Sequence, residues 1–112
     1  MTGDPGEMSG KFDEWFSVLA DRECRYVLYY FSESDTSVAS VAELAEHIGD
    51  HDDYHRSDSD RLELSLYHAK LPKLAEADVV EYDARSKTVR YHGHPILEEW
   101  VGQTAETECR VL

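Results

Sequence analysis

The sequence predicts a mainly helical α+β domain with one small β-hairpin. Apolar residues recur at helical spacing in several separate segments, and Ser40 with Glu43 forms a capping box before one of them. Further along, "VVEYD" and "TVRYH" have strand-like composition and flank the turn "ARSK". A chain of 112 residues is sufficient for one such domain. We expect it over residues 11–106, between a disordered lead at 1–10 and a short tail at 107–112.

Two consecutive helical segments follow the lead. The spacing i, i+3, i+4, i+7 is carried first by Phe12, Trp15, Phe16 and Leu19, and then by Cys24, Val27, Leu28 and Phe31. Asp21 lies between the segments and is a suitable N-cap for the second. Tyrosines lie beside the second stripe, so we expect that segment to be the most buried helix or to face a partner.

A short strand and another helix are predicted next. Residues 37–39 have strand composition. The helix after Ser40 carries the apolar stripe Val41, Leu44, Ala45 and Ile48, and Gly49 ends it. Residues 50–59 form a polar, acidic loop. His47, His51 and His55 are spaced by four, as metal ligands on a helix would be, but Gly49 interrupts that helix and we predict no metal site.

The third helix contains a proline. Ser57 or Ser59 caps it, and Pro72 removes one amide donor and crowds the carbonyl of His68, so we expect a bend. We predict that the core stripe is Leu64, Tyr67, Leu71, Leu74 and Ala77, with Leu62, Leu66 and Ala69 on the opposite face. The helix should end near Asp78, and a strand should begin at once.

A last helix begins at Pro95, because proline is favoured in a first helical turn. Its predicted inner face is Ile96, Leu97, Trp100, Val101 and Thr104. The predicted order is helix, short strand, helix, helix, two strands and helix. A helix-turn-helix followed by a β-hairpin is the winged-helix arrangement.

A family resemblance supports this arrangement. The stretch "LYHAKLPKLAEADVVEYD" resembles the "HLxxLxxAGLV" passage between recognition helix and wing in winged-helix regulators such as the arsenical-resistance-repressor-like group. With "FDEWFSVLADRECRYVLYYF" and "SVAELAEHI", residues 12–101 resemble a haloarchaeal winged-helix domain family. Asp78 stands where the pattern has glycine, and aspartate tolerates a left-handed conformation better than most residues. The resemblance implies a winged helix-turn-helix fold, and it places His68 near a DNA-facing position.

The chain is strongly acidic, with 24 acidic and 11 basic residues and a net charge of −13. Such a surface keeps a protein soluble, and it is similar to the surfaces of proteins from salt-loving archaea. No apolar run has the length of a membrane span, and no signal peptide precedes the first helix, so we expect a cytoplasmic protein. Cys24 and Cys109 fit no paired motif and are expected to be free thiols.

Charge distribution indicates a binding surface. Residues 56–90 hold seven of the 11 basic residues and seven acids, so this segment is neutral on an acidic body. Contact with a polyanion is the simplest reason, and double-stranded DNA is the expected partner. The predicted DNA contacts are Arg61, Ser65, His68 and Lys73 on the third helix, and Arg85, Lys87 and Arg90 on the wing.

Two further interactions are predicted. If Leu62 and Leu66 are exposed, the third helix would suit a protein partner, which makes an adaptor module the alternative to DNA binding. A homodimer is expected through aromatic residues of the first and last helices, namely Trp15, Phe16, Tyr29, Tyr30 and Trp100.

The sequence contains no constellation that indicates catalysis. There is no phosphate-binding glycine loop and no nucleophile elbow, and His92 and His94 flank Gly93 without a nucleophile in a known motif. We therefore predict a transcriptional regulator with no catalytic residues and no cofactor.

Overall fold

The computed structural model describes residues 5–49 and 59–111. It is mainly helical with a small antiparallel sheet, so the predicted α+β class is confirmed. The elements are α1 (Pro5–Ala20), α2 (Arg22–Glu33), β1 (Val38–Ser40), α3 (Val41–Gly49), α4 (Ser59–Ser65), a π-helical turn (Leu66–Lys70), α5 (Leu71–Glu76), β2 (Val80–Asp83), β3 (Thr88–Tyr91) and α6 (Pro95–Val111). We refer to residues 59–76, which comprise α4, the π-turn and α5, as the bent helix.

The three strands pair in the order β1–β3–β2. Val89 at the centre of β3 lies opposite Ala39 on one side and Tyr82 on the other. Both predicted hairpin strands and the predicted short strand are therefore present. The amide of Val41 donates to the carbonyl of Lys87 at 3.0 Å, which anchors the hairpin turn beside the start of α3.

α2 is the central helix, as predicted. Its buried residues face more than one side and are Cys24, Tyr26, Val27, Leu28, Tyr29 and Phe31. The Asp21 carboxylate caps it, since Oδ1 accepts from the amides of Glu23 at 3.1 Å and Cys24 at 3.2 Å. The capping side chain at the start of α3 is also confirmed, because Ser40 accepts from the amide of Glu43 at 3.0 Å.

The bent helix has a different apolar stripe from the predicted one. Leu62 is 5% exposed and Leu66 is fully buried, whereas Leu64 is 58% exposed. The core stripe is thus Leu62, Leu66, Leu71 and Leu74. The predictions that Leu64 faces the core and that Leu62 and Leu66 face outward are wrong.

The π-turn is the physical reason for this difference. Leu66 and Leu71 are five residues apart, and the amide of Leu71 donates to the carbonyl of Leu66, which is the i→i−5 bond of a π-helix. The next residue, Pro72, has no amide to donate and would crowd the carbonyl of His68 in a regular α-helix. The distortion expected at Pro72 is therefore present as a wider turn directly before it, and the turn shifts the buried face by one residue.

The passage into the hairpin is as short as the sequence predicts. Asp78 has φ +62°, so the left-handed conformation expected there is confirmed. The amide of Val79 donates to the carbonyl of Leu74 at 3.0 Å, which closes the end of α5 in a Schellman-type cap. Two side chains also hold this turn in place. The indole of Trp15 donates to the Ala77 carbonyl at 3.1 Å, and His94 Nε2 donates to the Asp78 carbonyl at 2.6 Å.

The first and last helices are both longer than the sequence predicts. α1 begins at Pro5 and so overlaps residues 5–10 of the predicted lead, and proline at a first helical position explains how the helix starts there. α6 continues to Val111 rather than ending near residue 106. Glu108 lies on the part of α6 that overlaps the predicted tail, and it forms an ion pair with Arg25 of α2.

The buried residues of α1 and α6 differ in part from the predicted ones. On α1, Phe16 is 56% exposed, whereas Val18 is fully buried. Ile96 is exposed, whereas Leu97 and Val101 are buried. The ring of Phe16 stacks on Trp100 with centroids 4.8 Å apart, so the two terminal helices share an aromatic contact at the surface.

Candidate nucleic-acid interface

A shallow cleft lies between the bent helix and the β2–β3 hairpin. Its lining comes from the outward face of α4 and the π-turn and from one residue of the hairpin turn, and consists of Asp60, Glu63, Leu64, Tyr67, His68 and Lys87. Because the π-turn buries Leu62 and Leu66, the residues between them are directed outward. The cleft is therefore a consequence of the helix distortion.

Lys87 joins the hairpin to the bent helix. It lies in the left-handed region at φ +55°, and its Nζ lies 5.4 Å from the centre of the Tyr67 ring, in a cation–π contact. The Tyr67 ring also meets Tyr82 of β2 edge to face, with centroids 6.0 Å apart. These contacts fix the basic turn beside the outer face of the helix.

Arg85 and Arg90 lie on the same hairpin. Arg85 is exposed in the turn, where its amide donates to Oδ1 of Asp83 at 3.0 Å. Arg90 is exposed and lies 3.9 Å from a carboxylate oxygen of Glu81 on β2. An exposed pair of this kind contributes little to stability, so the Arg90 side chain is accessible to another partner.

On the bent helix, Arg61 and His68 are exposed and Ser65 is half-buried. His68 lines the cleft, and its ring meets Tyr67 edge to face with centroids 4.8 Å apart. Of the predicted helix contacts, His68 therefore lies in the same cleft as Lys87.

Lys73 has different surroundings. Its Nζ lies 3.8 Å from Oδ2 of Asp21, and it lines a second depression together with residues of α1 that include Asp13 and Glu14. Lys70 donates to the same Asp21 oxygen at 2.7 Å. The structure therefore does not bring Lys73 together with Lys87, and the predicted contact set is divided between two sides of the bent helix.

Asp21 links the bent helix to α2 electrostatically. Burial would raise the pKa of Asp21, but the hydrogen bonds from Lys70 and from the amide of Cys24 outweigh it and hold that pKa below the usual range. The carboxylate is thus ionised at neutral pH, so it accepts a hydrogen bond from Lys70, forms an ion pair with Lys73 and caps the start of α2. These contacts orient the bent helix rather than a ligand.

The charged side chains of the cleft are more acidic than basic. The lining contains two carboxylates, Asp60 and Glu63, and one ammonium group, that of Lys87, so attraction to phosphate is weak at this surface. The two carboxylates would be repelled by a phosphate backbone but are suitable acceptors for the amino groups of bases.

The predicted dimer residues are distributed over different environments. Trp15 and Tyr29 are buried in the core, and Tyr30 is half-buried, with its ring edge to face with His47 at 5.0 Å. Phe16 is 56% exposed and its ring stacks on Trp100, which is half-buried against the core. Of the predicted aromatic set, Phe16 is the largely exposed member.

Glu108 has a structural role that the sequence did not indicate. Arg25 donates to both of its carboxylate oxygens at 3.1 Å and to the Leu19 carbonyl at 2.8 Å, and the hydroxyl of Tyr29 donates to Glu108 at 2.8 Å. The hydrogen bonds from Arg25 and Tyr29 hold the pKa of Glu108 below its usual range despite burial. This cluster attaches the end of α6 to the junction of α1 and α2.

The possible metal ligands and the Cys24 thiol can be located within the described residues. No group of three or more His, Cys, Asp or Glu side chains that could hold a metal ion occurs in residues 5–49 and 59–111. His51 and His55 lie outside that part of the chain. Burial raises the pKa of Cys24 to about 12, so this thiol is protonated at neutral pH and is a packing residue.

Comparison with known proteins gives a family assignment. Residues 16–90 match a domain of unknown function, DUF7344. The chain belongs to the DUF7344 family. The match begins within α1 and ends within β3, so the DUF7344 region includes all six residues that line the cleft. Neither the curated proteins nor the solved structures contain a match to the chain.

The sequence predicts no contact with a membrane, and the lengths of the helices bear on that prediction. Within residues 5–49 and 59–111, none combines the length and the hydrophobicity that a membrane span requires.

Sequence reasoning missed Leu64 and Tyr67 as cleft residues because it assumed a uniform helical period. A signal was present. Leu62 and Leu66 are four residues apart, Leu71 follows after five, and Pro72 comes next. A spacing of five directly before a proline is what a π-turn produces.

Proposed function

We propose that this chain is a winged helix-turn-helix domain that binds double-stranded DNA and regulates transcription. In this proposal α3 and the bent helix are the helix-turn-helix pair, the bent helix enters the major groove, and the β2–β3 hairpin is the wing. The element order, the three-stranded sheet and the short passage from α5 into β2 support this assignment.

The observation that carries the proposal is the contact between Lys87 and Tyr67. It joins the basic hairpin turn to the outer face of the bent helix in one continuous surface. A helix with an adjacent basic turn suits DNA, because the helix can meet base edges while the turn reaches the neighbouring phosphates. Arg61, Ser65 and His68 would contact DNA from the helix, and Arg85, Lys87 and Arg90 from the wing.

Replacement of Lys87 by glutamine tests the proposed surface. We expect K87Q to weaken binding of a labelled random-sequence duplex across all sequences and to lower the slope of log affinity against log salt by about one, because one phosphate contact is lost. Fluorescence anisotropy over a series of potassium concentrations measures both quantities.

Lys73 supplies the matched control. K73Q removes the same charge from the molecule, but at the side of the bent helix that faces Asp21 and α1. We expect its affinity and salt dependence to stay close to those of the unmodified protein. Equal losses in K73Q and K87Q would show that only the total charge matters, and the proposed surface would then be wrong.

A homodimer through α1 and α6 belongs to the same proposal. The stacked pair of Phe16 and Trp100 leaves an aromatic surface shared by the two terminal helices, and Ile96 is exposed on α6. A second copy of the chain would cover this surface about a two-fold axis, and the DNA site would then have two related halves.

The exchange of Phe16 for glutamate tests the dimer. We expect F16E to be monomeric at concentrations at which the unmodified chain is dimeric, because it places a charge in the centre of the interface. Sedimentation velocity measures the change. V38E, which alters an exposed valine on β1, is the control and should leave the dimer intact. A dimer of unchanged stability in F16E would exclude this surface.

A protein-interaction module is the second candidate, and the exposure of Leu64 favours it. The partner surface predicted through Leu62 and Leu66 does not exist, because both side chains are buried. An apolar side chain at 58% exposure in a polar cleft is nevertheless suited to anchor a partner. If random-sequence DNA is not bound at any salt concentration, this candidate replaces the first.

A further inference from the structure

We propose that Leu64 selects thymine in the bound DNA by contact with the C5-methyl group. This inference rests on the proposed function, and it assigns a specificity-determining role to a residue that the sequence placed in the core. Among the leucines of the bent helix, Leu64 alone is largely exposed.

Leu64 is exposed, whereas the leucines around it are not. Leu62, Leu66, Leu71 and Leu74 are at most 5% exposed, and Leu64 is 58% exposed. Its exposure follows from the π-turn, because the five-residue spacing between Leu66 and Leu71 keeps both of those side chains on the buried face and turns Leu64 away from it. The fold therefore does not need an apolar side chain at position 64 for its own packing.

The surroundings of Leu64 limit what it can contact. Asp60, Glu63, His68 and Lys87 line the same cleft and are polar, and the face of the other apolar ring, Tyr67, is engaged by the Lys87 ammonium. Leu64 is thus the freely exposed apolar group of the cleft. The carboxylates of Asp60 and Glu63 repel phosphate, so this part of the helix must face base edges if DNA is bound.

Base edges in the major groove offer one apolar group, which is the C5-methyl of thymine. A leucine side chain has no donor or acceptor, so it distinguishes bases through this methyl group. Burial of one methyl corresponds to about a fourfold change in affinity. The neighbouring carboxylates would accept hydrogen bonds from amino groups of adjacent bases, which gives the cleft polar acceptors around one apolar contact.

The experiment uses a duplex selected from a random pool by the full chain. Each thymine of the selected duplex is replaced in turn by uracil, which keeps base pairing and removes the methyl group alone. We expect one position per half-site at which the unmodified protein loses about fourfold in affinity, while L64A shows no loss at that position. V38A truncates an exposed aliphatic side chain on β1 and should respond to uracil as the unmodified protein does.

The outcomes separate this inference from the proposed function. If a duplex is selected but uracil has the same effect on the unmodified protein and on L64A, the role of Leu64 is wrong and DNA binding stands. If no duplex is selected at any salt concentration, both are wrong. If L64A keeps the affinity and sequence preference of the unmodified protein, Leu64 does not contact DNA, and a protein anchor is the remaining role for it. Thermal melting monitored by circular dichroism verifies that L64A is folded.

Discussion

Truncation of Leu66 to alanine is expected to lower the free energy of unfolding by about 2–5 kcal/mol. Leu66 is fully buried at the start of the π-turn, and loss of its side chain leaves a cavity between the bent helix and the core. The same truncation at Leu64, two residues earlier and largely exposed, should change this free energy by no more than about 0.5 kcal/mol. The difference between the two losses in free energy thus shows which face of the bent helix is buried.

Urea denaturation of L66A and L64A measures both free energies. The two substitutions remove the same atoms from the same helix, so intrinsic helix propensity contributes equally to both. A regular α-helix with the stripe predicted from sequence would give the opposite order, with the large loss in L64A. That order would overturn the π-turn and, with it, the composition of the cleft.

Replacement of Glu108 by glutamine is expected to destabilise the protein by about 1–3 kcal/mol at neutral pH. Glutamine still accepts the hydrogen bond of Tyr29, but the bidentate pairing with Arg25 is lost, and both side chains of that pair are less than one-fifth exposed. E99Q changes an exposed glutamate of the same helix and should have little effect. A double-mutant cycle with R25M isolates the energy of the Arg25–Glu108 contact.

The pH dependence of the Glu108 effect has a defined sign. The pKa of Glu108 is lower in the folded chain than in the unfolded chain, mainly because Arg25 binds the carboxylate. Its contribution is therefore complete above the ordinary glutamate pKa of about 4.3 and is lost as the pH falls through the lower folded value. The difference in stability between the unmodified protein and E108Q should shrink across that acidic range, as measured by thermal unfolding at several pH values. A difference that stays constant on acidification would show that the ion pair is not its source.

The structure divides the predicted site residues between different surroundings. Lys87 and His68 line the cleft between the bent helix and the hairpin, and Arg61 is exposed on α4. Lys73 does not line this cleft, because Asp21 at the start of α2 binds it from the other side. That contact joins residues 52 positions apart in the chain, and no local pattern reports a pairing over that separation.

The sequence by itself determined the order of the elements, the caps at Asp21 and Ser40, the left-handed turn at Asp78 and the two hairpin strands. Each of these depends on a few neighbouring residues, whose side-chain and backbone preferences act locally. The tertiary structure decided which face of the bent helix is buried and how far α6 extends. The first depends on how a π-turn fits against α2 and α3, and the second on Arg25 binding Glu108 across 83 residues. Packing and ion pairing of this kind are settled only when distant parts of the chain meet.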